Sequence, residues 1–332
     1  MRGAIEWIRR AHSLFSLRDA VELLAPPILL AKFARYAMSR DGREAPADDP
    51  DARDPRYVRL LLDLARALGR SYFRLEVRGV ENVPAEGPVL LVGNHNGAFL
   101  PLDGFFASAA LLDRYGISRV PYALAHDFLF YDARLRRYAL KLGALRASHR
   151  SAGRVFDRNG VVLVYPGSDY DVFRPWRDRY RIVLAGRKGF ARLALAAQVP
   201  VVPVVSVGTH EQLIVLSRGD RLAKLLHTHR WFRADVLPLV LSFPWGLTSG
   251  FLPYLPLPAQ TTVAFGKPMT WPTLEPSDAA NPAMLDRVYA EVESAMQAML
   301  DELARGRRAF RGPRRRVARP KSIAERAAHS AP

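Results

Sequence analysis

Pro88-Val89-Leu90-Leu91-Val92-Gly93-Asn94-His95-Asn96-Gly97-Ala98-Phe99-Leu100-Pro101-Leu102-Asp103-Gly104 decides how this chain folds. Residues 88–93 form an unbroken apolar run, the pattern of a strand buried on both faces. From Leu102 to Leu112 apolar residues return at helical spacing. The short segment between them carries His95 and leads to Asp103. In open α/β sheets, reacting groups sit at strand ends that face a crevice. Histidine titrates near neutrality and can take a proton from a hydroxyl. A neighbouring carboxylate can hold the imidazole tautomer and stabilise the imidazolium. Gly97 allows a tight backbone turn. On chemistry alone, these positions equally suit a surface histidine followed by a helix-capping aspartate.

The flanking sequence alternates helix and strand. Val58, Leu61, Leu62, Ala65 and Leu68 predict a helix over Tyr57–Gly69. Residues Tyr72–Arg78 alternate apolar and charged, as in a half-exposed strand. Val161–Tyr165 and Val201–Val207 read as buried strands, and Thr261–Phe265 as a late one. Helices are predicted over Gly186–Ala197 and Pro282–Ala304. This order predicts an α/β fold, with a mixed, mostly parallel sheet flanked by helices. Residues 1 to about 40 read as amphipathic helices suited either to a membrane surface or to packing on the domain, and 41–55 as a polar linker or surface loop. The expected organisation is an N-terminal element over 1–55, a catalytic domain over 56–304 and a basic, solvated tail over 305–332.

Of 332 residues, 49% are apolar, enough for a sizeable core. The absence of cysteine excludes disulfides, a cysteine nucleophile and cysteine-held metal. A net charge of +17 favours anionic partners. Between Arg305 and Arg326 lie ten basic residues and one acid. Phe310 is the sole aromatic there and no nucleic-acid motif appears, so nucleic acid is not an expected partner. The tail reads either as a solvated arm or as a contact to an anionic membrane surface. Two apolar stretches, Ala20–Ala31 and Val236–Pro258, are interrupted by Pro26-Pro27 and by five prolines. Neither reads as a membrane span, and both suit an interface. Within the second, Trp245, Phe251 and Tyr254 suit an interfacial lip or core packing.

A second motif, Tyr165-Pro166-Gly167-Ser168-Asp169-Tyr170-Asp171, also follows a buried strand. Pro166 and Gly167 favour a turn whose N–H groups can hold an anion or oxyanion. Arg174, Arg177, Arg179, Arg181, Arg187 and Lys188 follow as a basic cluster. The same residues also suit an ordinary turn with solvated charges. His126-Asp127 is a candidate for lining the crevice. His227-Thr228-His229 has no carboxylate at ligand spacing, so no metal is expected.

Taken in order, Asn94-His95 with Asp103, Leu142–Ser148, Tyr165–Ser168 and Val199–Val204 resemble the motif blocks of the glycerolipid acyltransferase family. That family includes glycerol-phosphate and lysophospholipid acyltransferases, and the resemblance spans about residues 73–270. It implies a general base, His95, oriented by Asp103. It further implies substrate-binding roles for Asn94, Gly97, Arg146, Pro166, Gly167, Ser168, Asp169, Arg174 and Arg187. No cofactor is implied beyond a co-substrate, acyl-CoA or acyl-ACP (acyl carrier protein). The implied reaction is acyl transfer to a glycerolipid hydroxyl, foremost of a lysophospholipid such as 1-acylglycerol-3-phosphate. It would occur at the cytoplasmic face of the membrane, with the protein peripheral or monotopic. Two departures from the family pattern stand out. Seven residues separate His95 from Asp103, where the family usually has four, as in the branch that includes mono- and diacylglycerol acyltransferases. Gly167-Ser168-Asp169 replaces the Glu-Gly-Thr thought to help hold the acceptor phosphate. A neutral acceptor and a non-catalytic lipid-binding protein are therefore the alternatives.

Overall fold

The structure, a computed structural model, describes residues 17–37, 45–96, 100–227 and 236–313. In chain order the strands of the main body are β1 (Glu76–Arg78), β2 (Val89–Gly93), β3 (Tyr122–Ala125), β4 (Ala144–Arg146), β5 (Val161–Val164) and β6 (Val201–Val207). A small sheet is made of β7 (Ile214–Ser217), β8 (Leu239–Ser242) and β9 (Gly246–Ser249), after which β10 (Thr262–Phe265) returns to the body. The main sheet has the order β1-β10-β6-β2-β5-β3-β4. Strands β2 to β6 run parallel, while β10 lies antiparallel to β6 and carries β1 beside it. The sheet is therefore mixed and mostly parallel, as the alternation of elements predicts.

Apolar runs buried on both faces need cover on both sides. Helices α1 (Leu17–Ala37), α2 (Pro55–Ser71), α3 (Leu102–Tyr115), α4 (Ala133–Leu142), α5 (His149–Phe156), α6 (Ser168–Val172), α7 (Gly189–Ala197), α8 (Asp220–Leu225) and α9 (Pro282–Ala304) follow one another along the chain. Val89 and Leu91 of β2 face a core shared with Ala65 of α2 and with Phe106 and Leu111 of α3. Leu90 and Val92 face the opposite core, with Val155 of α5, Phe190 of α7 and Val292 and Met296 of α9. The two faces alternate along the strand, as a period of two requires. Asp54 caps α2 by accepting from the N–H groups of Arg56 and Tyr57, with Pro55 at the first helical position. Asn281 and Pro282 start α9 in the same way.

Several elements differ from the sequence expectation. Of Tyr72–Arg78, only Glu76–Arg78 is strand, because Arg74 takes a left-handed conformation (φ 46°) and Phe73 turns into the core. Helix α7 begins at Gly189 rather than Gly186. Residues 45–54 form a surface segment fastened to the body, the loop alternative of the sequence expectation: Arg53 donates to the Val120 and Ile117 carbonyls, and Arg154 to that of Asp48. Tyr36 of α1 donates to Asp54 at 2.8 Å. The body also runs past residue 304. β11 (Arg307–Arg308) pairs with β12 (Gly312–Pro313), and Arg307 is buried against Glu211 with nitrogen–oxygen distances of 3.0 and 3.1 Å. The boundary expected at 304/305 thus moves to at least Pro313; residues 314–332 lie outside the described residues. Among the described residues no helix is long and apolar enough to cross a membrane.

Candidate active site

The parallel strands bring their C-terminal ends to one edge of the sheet, and the candidate residues leave from there. His95 follows β2, and its Nδ1 lies 3.0 Å from Asp103 Oδ2. Asp103 stands in the first turn of α3, where the positive end of the helix dipole favours a carboxylate. It also accepts the Asn96 N–H at 2.9 Å and the Gly104 N–H at 2.8 Å, and is buried. The long His–Asp spacing is thus accommodated, and the dyad forms. Gly97 lies outside the described residues.

Tyr165, which leaves β5, stacks on the His95 ring at 4.3 Å and 17°. Two glycines make its seat. A Cβ on Gly93 would sit 2.5 Å from the Tyr165 ring, and one on Gly104 would sit 3.0 Å from its hydroxyl. Burial first, then the Asp103 charge, pushes the Tyr165 phenol well above its ordinary value, so it stays protonated. The ring plane of His95 is therefore set from two sides, by the carboxylate and by the tyrosine.

Beneath the dyad lies a buried polar network. Asp171 of α6 accepts the His95 backbone N–H at 2.5 Å and pairs with Arg174. Arg174 is 2% exposed and also donates to Asn96 Oδ1 at 3.2 Å. Burial draws its guanidinium down to about 10, still cationic at neutral pH. Asn96 donates to Ser206 and Thr209 at 3.0 and 2.8 Å. His210, after β6, places Nε2 2.5 Å from the Arg174 carbonyl and Nδ1 2.9 Å from Asn96 Oδ1. Burial foremost, and the Arg174 charge next, hold this imidazole well below its ordinary pKa, so it is neutral. As a neutral ring it has one N–H for two facing carbonyl oxygens, so only one of these two contacts is a hydrogen bond.

Two residues expected to bind substrate are placed elsewhere. Asn94 is 1% exposed and spends both ends of its amide on Ser206, donating to its carbonyl at 3.0 Å and accepting its N–H at 2.8 Å. It ties β2 to β6. Arg174 is sealed by Asp171 and Asn96, and its charge offsets Asp171 rather than meeting solvent. The turn itself is held by Arg187, which donates to the carbonyls of Pro166 and Gly167 at 3.3 and 3.2 Å and to Asp169 at 3.0 Å. The Ser168 N–H donates to the Tyr165 carbonyl at 3.2 Å. A Cβ on Gly167 would lie 2.0 Å from the Val183 carbonyl, so only glycine fits there. Arg146, half-exposed at the end of β4, pairs with Asp127 at 3.2 Å. That strand is three places from β2, about 14 Å at ~4.8 Å per strand. His126 caps the turn after β3.

The sequence reading missed Asp171, Asn96, His210 and Tyr165 as site residues. For Asp171 the signal was present: a carboxylate three residues before Arg174 on one helical turn. For His210 it was the same strand-end rule that finds His95, applied to β6.

The acyltransferase family model matches residues 74–207, a span that runs from the approach to β1 through β6 and holds both halves of the site. An uncharacterized protein of Mycobacterium tuberculosis is 32% identical over 256 residues, covering 77% of this chain and 69% of its own length. The human DGAT1/2-independent enzyme synthesizing storage lipids is 28% identical over 172 residues, covering 51% of this chain and 50% of that enzyme, about half of each. Among solved structures, the 1-acyl-sn-glycerophosphate (LPA) acyltransferase PlsC of Thermotoga maritima is 15% identical with a TM-score of 0.47, covering 86% of this chain and 98% of that one. With the family model laid over the strands that carry the His95–Asp103 dyad, the chain belongs to the glycerolipid acyltransferase family and is an O-acyltransferase.

Proposed function

We propose that this protein transfers a fatty acyl group from an acyl thioester, of coenzyme A or acyl carrier protein, to a neutral lipid acceptor. The acceptor would be a mono- or diacylglycerol or another long-chain alcohol. The observation that carries this choice is the engagement of the arginines beside the dyad. Arg174 is buried on Asp171, and Arg187 is folded back onto Asp169 and two carbonyls. An anionic headgroup at this turn would have to displace a carboxylate already in place. The similarity to an enzyme named for synthesizing storage lipids points the same way. A lysophospholipid acceptor is the second reading, and Arg146 favours it. It is half-exposed at the same edge of the sheet, in a surface ion pair worth about 0–1 kcal/mol.

In the proposed reaction, His95 Nε2 removes the proton of the acceptor hydroxyl while the oxygen attacks the thioester carbonyl. Asp103 holds the Nδ1–H and stabilises the imidazolium. The Gly167 N–H is assigned to the developing oxyanion, a type of contact worth about 2.7–4 kcal/mol where it has been measured by mutation. Collapse of the tetrahedral intermediate expels the thiolate, which takes the proton back from His95. Release of thiol from a long-chain acyl-CoA is the readout, with an acyl-ACP donor run in parallel. Monoacylglycerol, diacylglycerol, a long-chain alcohol and lysophosphatidic acid are compared as acceptors. Fastest turnover with a neutral acceptor is expected. Turnover with lysophosphatidic acid alone, lost in Arg146→Ala, would replace this reading with the second one.

A further inference from the structure

An antiparallel sheet with one wet face ordinarily alternates apolar-in and polar-out. The small β7-β8-β9 sheet does not. Its inner face is buried: Val215 and Val240 pack with Val172, Phe173 and Tyr254. On its outer face Leu241 stands opposite Leu247, both exposed, with Leu239 one pair along. Phe243 and Trp245 extend the exposed surface at the turn between β8 and β9, where Phe243 is bridged to exposed Leu255. Of the nineteen large apolar side chains exposed among the described residues, eleven fall between Leu216 and Leu255. Residues 236–260 contain no charged residue. A patch of this kind marks a surface that is covered in use.

We propose that the outer face of the β7-β8-β9 sheet docks on an anionic bilayer and holds the dyad at the lipid surface; this rests on the acceptor being a lipid, as proposed above. Three observations select a membrane. First, the apolar face has a basic border: α8, which joins β7 to β8, exposes Arg221 and Lys224 next to Leu225 and Leu226. That pairing of an apolar face with lysine and arginine beside it suits the headgroup region. Second, the chain carries +17 overall, which anionic lipid complements. Third, the inner face of the sheet continues into the site. Phe173 lies between Val172 of α6 and the buried Arg174, and its ring meets Phe251 at 5.5 Å. Tyr254, buried on that face, has its phenol raised by burial first and then by the Asp103 charge. The sheet is thus tied, through α6, to the segment that holds the His95 main chain.

The test uses the full chain and vesicles of equal parts phosphatidylcholine and phosphatidylglycerol. High salt screens the purely electrostatic attachment of the basic segments. Leu241→Ser with Leu247→Ser should weaken co-sedimentation about tenfold or more, by loss of buried apolar area. Turnover on a short-chain, monomerically dissolved acceptor should be unchanged. His95→Ala should lower turnover by about 10²-fold or more and bind vesicles like wild type, so failure of the docking idea and failure of the acyltransfer reading are separable. Independently of any destabilised variant, brominated lipid should quench tryptophan emission in the wild type and markedly less in Trp245→Phe. Vesicle binding unaffected by the double substitution, with no Trp245-dependent quenching, would overturn the proposal. So would a dimer in solution that the double substitution converts to monomer while vesicle binding persists, since the occupant would then be a second copy.

Discussion

His95 is useful only if its ring is held, and the residues that hold it are mostly small or buried. Gly93 and Gly104 leave the space in which Tyr165 stacks on the imidazole. Gly93→Ala should push Tyr165 off the ring. The expected result is a fall in kcat of up to about 10²-fold, the cost of a misplacement near 1 Å, with a stability loss of roughly 1–3 kcal/mol for overpacking. Steady-state kinetics and urea unfolding read the two effects separately. Asp171 acts one step further back, holding the His95 main chain and neutralising Arg174. Asp171→Asn keeps an acceptor for the N–H but leaves Arg174 buried without its counter-charge. About 3–5 kcal/mol should be lost in chemical denaturation, the usual penalty for breaking a buried pair. An unchanged unfolding midpoint would show that the network does not carry that charge. At this scale the dyad was legible in the sequence, because a strand end and a helix start bracket His95 and Asp103. The buried network was not. Asp171 and Arg174 lie three residues apart, but Asn96 and His210 come from two other strand ends, and only the order of strands in the sheet brings them to that pair.

Among the elements, the long ones were read best. The helix Pro282–Ala304 and the strand Val201–Val207 have the predicted bounds, because strong periodicity and a proline start leave little freedom. The Val236–Pro258 stretch was ambiguous between lip and core because a strand alternates its faces: Val240 is core while Leu239 and Leu241 are exposed. The first residues of the C-terminal segment, 305–313, depart from the expected solvated tail for a physical reason as well. A run of arginines looks solvated by composition, yet Arg307 is drawn inside by Glu211, which is buried after β6. This yields a truncation experiment. A chain shortened after Pro313 should keep its unfolding midpoint and its turnover. A chain shortened after Arg305 removes Arg307, strands the Glu211 carboxylate, and should lose about 3–5 kcal/mol of stability. Equal stability of the two truncations would mean that the Arg307–Glu211 pair fastens nothing.

For the molecule as a whole, the buried His210 makes stability depend on pH in a defined direction. Unfolded, its imidazole titrates near 6.5; folded, burial and Arg174 hold it neutral well below that. Below pH 6.5 the unfolded state therefore binds a proton that the folded state refuses. This contribution is fully present above about pH 6.5 and falls by ~1.4 kcal/mol per pH unit as the pH drops. Urea unfolding between pH 7 and pH 5 should show that slope in wild type and a shallower one in His210→Gln. The larger claim is that one imidazole, fixed at the end of a parallel sheet, moves an acyl group onto a lipid hydroxyl. The most direct test is thiol release from a long-chain acyl-CoA or acyl-ACP, with the preferred acceptor, by wild type, His95→Ala and Asp103→Asn. Acceptor-dependent release is expected in wild type, reduced by about 10²-fold or more in both variants. Near-normal release from folded His95→Ala would contradict it.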